Sequence, residues 1–167
     1  MSKIPDLWSN AIDVDVLTPA AILNTQASLL KRKTQGIVIA EVGSSVDSNK
    51  IVTITFDLVA PGIDNFRARV LAVRHKAEYV YPALVSTSAF SGKGGGFFGD
   101  LKWGGIEDQL SKLAETETEF IGLLQEALRS GFILSMVQSL IARSNEARGQ
   151  PRSGDMAGDD ATASVAS

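Results

Sequence analysis

Arg67 and Arg69 are the side chains with the clearest chemical potential in this 167-residue chain. They stand two apart in a stretch that reads as a strand, and successive strand side chains alternate faces, so both arginines are expected on one face. Forked guanidinium donors side by side can hold a carboxylate or a phosphate. Simple alternation carries that face on through Leu71 and Val73 towards His75. The competing reading is a solvated sheet face on which Glu41 or Asp57 neutralises the arginines, an arrangement of small energetic consequence.

Lys93 offers a second anion contact, within Gly92-Lys93-Gly94-Gly95-Gly96. A phosphate-binding P-loop needs a glycine, four residues, then Gly-Lys and a hydroxyl residue, so that amides, ammonium and hydroxyl converge. Here the lysine comes first and no hydroxyl follows it, so a connector between sheet and helix is the simpler reading. The surrounding residues Phe90, Phe97, Phe98 and Trp103 make the segment rich in aromatics. Exposed on a loop they suit a partner or a ligand, and folded down they would join the core.

The remaining candidates are weaker. His75 is the only histidine and is expected in a polar turn; one imidazole cannot build a multi-histidine metal site. The absence of cysteine removes thiol catalysis, disulfides and cysteine metal ligands. Glu115 and Glu119 would share a face of a helix, but no further acidic or histidine residue joins them there, and a solvated face is expected. Lys31, Arg32 and Lys33 fit a helix C-terminus as well as they fit phosphates. No nucleophile–base set, metal site or cofactor motif is assembled, so a non-enzymatic role is favoured.

These residues must be positioned by the following elements. Residues 1–17 read as an extended lead-in in which Ile4, Leu7, Trp8 and Ile12 can anchor against the body. Thr18 can cap a helix whose first residue is Pro19, where a missing N–H costs nothing. Ile22, Leu23, Gln26, Leu29, Leu30 and Lys33 recur at helical spacing, and Gly36 is a natural stop. The period then becomes two. Strands are expected at Ile37–Val42, Ile51–Leu58, Phe66–Arg74 and Tyr79–Ser86, the last being an edge, or bulged, because Pro82 cannot donate to a ladder. Short loops between successive strands favour an antiparallel meander. After the glycine-dense segment at 88–105, helical periodicity resumes at Ile106 and runs to about Arg143. It is interrupted at Ser130-Gly131, giving a helical hairpin or one kinked helix. From 145 the composition turns to Gly, Ser, Ala, Asp and Arg, which cannot offset ordering entropy, and residues 145–167 are expected to be disordered.

The expectation is therefore an α+β domain at 18–144: a four-stranded antiparallel meander, an N-terminal helix, and C-terminal helices packed on the sheet. A net charge of −3 counts against nucleic acid as a partner. No apolar run long enough to span a bilayer is present, and no signal-peptide pattern opens the chain, so a cytoplasmic location without membrane contact is expected. The wide apolar stripe of Phe132, Met136 and Leu140 must be buried against the sheet or against another subunit. Two functions follow. The first is a binding or assembly module acting through the C-terminal helices and the aromatic residues Phe97, Phe98 and Trp103. The alternative is a small-anion or nucleotide binder using Arg67, Arg69 and Lys93.

Overall fold

A computed structural model describes residues 15–90 and 111–149 of the chain. The chain begins there with helix α1, Pro19–Lys33, entered as its sequence dictates: Pro19 opens the helix and the Thr18 hydroxyl accepts from the Ala21 N–H at 3.2 Å. It stops where Gln35 and Gly36 take left-handed backbone, φ 52° and 77°. Four strands follow, β1 Ile39–Val46, β2 Ile51–Ala60, β3 Phe66–Lys76 and β4 Tyr79–Ser86. A one-turn helix at Ser88–Phe90 closes this part. Strand β5, Ser111–Ala114, then leads into α2, Glu117–Leu128, and α3, Gly131–Gly149.

The five strands form one antiparallel sheet in the order β1-β2-β3-β4-β5. The meander is as expected, but with one strand more. Leu113 was assigned to a resuming helix, because spacing over so short a stretch fits both periods. Pairing with β4 decides the matter: Leu84 faces Leu113 and Ser86 faces Ser111, where the two hydroxyls lie 2.7 Å apart. In consequence β4 is not the sheet edge. The second reading of Pro82 holds instead, since the β3–β4 register shifts beside it, between Arg74 and Lys76, and the Tyr81–Pro82 bond is cis.

A second irregularity matters more. Phe56 pairs with Leu71 while Asp57 pairs with Arg69, so Val70 is an extra residue in β3. The Val70 carbonyl accepts a 2.7 Å hydrogen bond from the buried Thr87 hydroxyl, so the interrupted ladder leaves it satisfied. The bulge also corrects the expected facing of β3. Arg67 and Arg69 share a face with Asp57, whereas Leu71 and Val73 lie with Phe56 and Ile54 on the opposite, core face.

The core lies between that second face and the helices. Ile54, Phe56, Leu58, Leu71, Val73 and Val85 of the sheet pack with Ile22 and Leu23 of α1, Phe120 and Leu124 of α2, and Ile133 and Leu140 of α3. Each such side chain, fully buried, contributes roughly 1.5–3 kcal/mol. α2 starts with a Thr116–Glu119 capping pair: the Thr116 hydroxyl accepts from the Glu119 N–H at 3.2 Å, and the Glu119 carboxylate accepts from the Glu115 N–H at 2.7 Å. The expected acidic face of a long helix is thus a helix start. The break near Ser130-Gly131 is present as a 53° bend between α2 and α3. α3 continues through Asn145–Gly149, five residues beyond the expected end of the domain. No single helix among the described residues is long and apolar enough to cross a membrane.

Candidate functional site

The two arginines are brought together, and their partners come with them. Register places Glu41, Asp57 and Arg69 in one row across β1, β2 and β3, with Arg67 adjacent. Arg69 Nε donates to Asp57 Oδ1 at 3.0 Å, Arg67 donates to Asp57 Oδ2 at 3.4 Å, and a second guanidinium nitrogen of Arg67 donates to Glu41. The hydrogen bond to Glu41 is the first cause of the raised Arg67 pKa, opposed by desolvation. The Asp57 side chain is only 8% exposed and sits beneath two half-exposed guanidinium groups. Two positive and two negative charges sum to zero, so the arginines are paired within the sheet face by the carboxylates the sequence offered as their neighbours.

Lys93, Phe97, Phe98 and Trp103 lie outside the described residues. Phe132 and Met136 are half-buried and packed against the core, and Leu140 is buried within it. Of the two expected places for this stripe, the three residues take burial against the chain's own core. His75 lies in β3 and not in a turn, and donates its Nδ1–H to the Lys76 carbonyl at 2.8 Å. Among the described residues no group of three or more His, Asp or Glu side chains could hold a metal ion.

An open concavity lies elsewhere among the described residues. A groove of about 820 Å³ runs between α1, α2 and α3, with Phe56 and Leu58 of β2 at its floor. Its α1 wall carries Ala21, Thr25, Leu29 and Leu30, and its other walls carry Ile121, Leu128, Leu134 and Val137. Ile121 and Leu134 are 42% and 48% exposed, and both line the walls of one groove rather than lying scattered singly. Among the described residues two charges line the groove, Lys33 and Arg129, each where its helix ends, and no carboxylate does. The volume is in the range of ligand-binding clefts, and the lining is the expected kind: apolar, with a few polar groups.

One end of the groove is fixed by Leu17, whose side chain is part of the wall. Its N–H donates to Glu117 Oε2 at 2.9 Å, and its carbonyl accepts from the Tyr81 hydroxyl at 3.0 Å. Tyr81 in turn tilts against Phe120, with ring centroids 6.2 Å apart. Burial, and then the charge of Glu117, push the Tyr81 phenol up to about 12. Both backbone groups of Leu17 are therefore held, one by α2 and one by β4.

Among the described residues, Lys33 is the one candidate drawn from the sequence that lines this groove. A signal for it is nevertheless present. Ile121, Leu124 and Leu128 recur at intervals of three and four, as do Leu134, Val137 and Ile141. In α3 this second stripe runs beside the one that enters the core, so the helix has more apolar surface than one core face uses. No protein-family model, curated protein or solved structure matches this chain.

Proposed function

We propose that this chain is a non-enzymatic binding module that receives an amphipathic helical segment in the groove between α1, α2 and α3. The observation that carries this reading is the groove itself: half-exposed apolar walls on three helices, an apolar floor, and no acidic lining. Its α1 wall follows a helix of fifteen residues, roughly 22 Å at 1.5 Å per residue, long enough for about three turns of a guest helix. Docking of an apolar helix face into such a groove is a recurring mode of peptide recognition. Lys33 and Arg129 favour acidic side chains on the guest near the end distant from Leu17.

A labelled amphipathic helical peptide with an apolar stripe and acidic flanks tests this by fluorescence anisotropy. Saturable binding is expected, together with its loss in the Ile121→Asp, Leu134→Asp double variant. Both side chains are half-exposed, so the variant should keep its circular dichroism spectrum. Absence of saturable binding, or equal binding by the double variant, would sink the reading.

A further inference from the structure

We propose that residues 1–14 of this chain are the resident occupant of the groove, so that any external guest must displace them. The inference rests on the reading of the groove as a helix receptor. Three observations point to this segment. The first is where it enters: Leu17, whose side chain forms part of the groove wall, is held through both its N–H and its carbonyl by Glu117 and Tyr81. The chain preceding it therefore starts from a fixed point at the mouth of the groove, with Asp15 and Val16 as the spacer.

The second is its pattern. Although the lead-in reads first as extended, Ile4, Leu7, Trp8, Ala11 and Ile12 also fall at i, i+3, i+4, i+7 and i+8, the spacing of one apolar helix face, with Pro5 placed for a first turn. The third is its length. Residues 4–14 as a helix span roughly 17 Å, which fits along the 22 Å wall of α1. Coiled as a helix that turns back from Leu17, the segment would bring Asp6 towards Lys33 and Arg129 at the far end. A tether this short gives an effective concentration in the millimolar range, so even a weak intrinsic affinity fills the groove. The segment thereby sets a threshold: where it holds the groove nine-tenths of the time, an outside guest binds about tenfold more weakly.

The full-length chain tests this through Trp8, one of two tryptophans. In a Trp103→Phe background, Trp8 emission is expected to be blue-shifted and shielded from acrylamide. Adding Ile121→Asp and Leu134→Asp should return it to solvent-like values. Solvent-like emission in the parent, or indifference to the groove substitutions, overturns the proposal. So does shielding that grows with protein concentration, which would place the segment in a neighbouring copy.

A second measurement uses a labelled synthetic peptide copying residues 1–14, added to the full-length chain and to its Leu7→Asp, Trp8→Asp variant. The variant should bind the peptide about tenfold more tightly than the parent. Equal affinity overturns resident occupancy while leaving the receptor reading in place. If the variant binds neither this peptide nor the generic amphipathic one, the receptor reading fails and the inference that rests on it fails too.

Discussion

Asp57 holds a surface network together from beneath it. It answers two guanidinium groups, and Arg67 reaches Glu41 as well. Replacing Asp57 with alanine removes two charge-assisted hydrogen bonds and leaves adjacent like charges. The expected loss is about 1–3 kcal/mol in urea denaturation, discounted towards the lower end because both arginines are half-exposed. Arg67→Ala should cost less than Asp57→Ala, because Arg69 still pairs with Asp57. Tyr81 makes a pH-dependent prediction. Its phenol is pushed up to about 12 from an ordinary 10.0. Between those values the folded chain keeps a proton that the unfolded chain releases. Stability is therefore unaffected by this group below pH 10 and falls as pH rises from about 10 through about 12. Urea midpoints measured across that window should flatten in Tyr81→Phe relative to the parent.

At the scale of elements, the bulge and the fifth strand are where sequence and structure part. Thr87→Val keeps shape but removes the donor to the buried Val70 carbonyl. It should cost about 1–3 kcal/mol by chemical denaturation, the penalty for an orphaned buried acceptor. A loss below about 0.5 kcal/mol would mean that the bulge is satisfied in another way. α1, β2 and β4 were legible because local chemistry and period agree in them: Thr18-Pro19 starts the helix, and Val52, Ile54, Phe56 and Leu58 alternate strictly with polar neighbours. The bulge was not legible, because Arg67 and Arg69 followed by Leu71 and Val73 is itself a regular period-two pattern. Only the pairing of Asp57 with Arg69 and of Phe56 with Leu71 reveals the extra residue. β5 was hidden for a related reason: its four residues make a strand by pairing with β4 and not by their own pattern. The Thr116-x-x-Glu119 capping pair was readable in the sequence and marks the true start of α2.

Taken as a whole, the molecule uses one sheet face for its core and divides the surface of its helices between that core and a groove. Leu140 and Leu134 lie six residues apart on α3 and illustrate the division: the first is 3% exposed and the second 48%. Leu140→Ala should destabilise the fold by about 2–5 kcal/mol in equilibrium unfolding. A near-neutral result would mean that Leu140 adds little to the core. The candidate site was illegible from sequence for a physical reason. Its walls come from three helices and its floor from β2, and each helix contributes residues next to the stripe that fills the core. Periodicity identifies that a helix has apolar surface to cover, but not how the surface is shared between neighbours.

The extra residue in β3 separates the length of the chain from its facing. Removing Val70 would leave Arg69 followed directly by Leu71, which already point to opposite sides, so every remaining side chain of β3 could keep its present side. Removing Ala72 instead would bring Val73 to the charged side and swing Arg74 towards the helices. A Val70 deletion should thus leave a folded chain with a higher urea midpoint than an Ala72 deletion, although the two shorten the protein equally. Position 70 is a spare step in the strand, at which the chain can lose a residue without losing its phase.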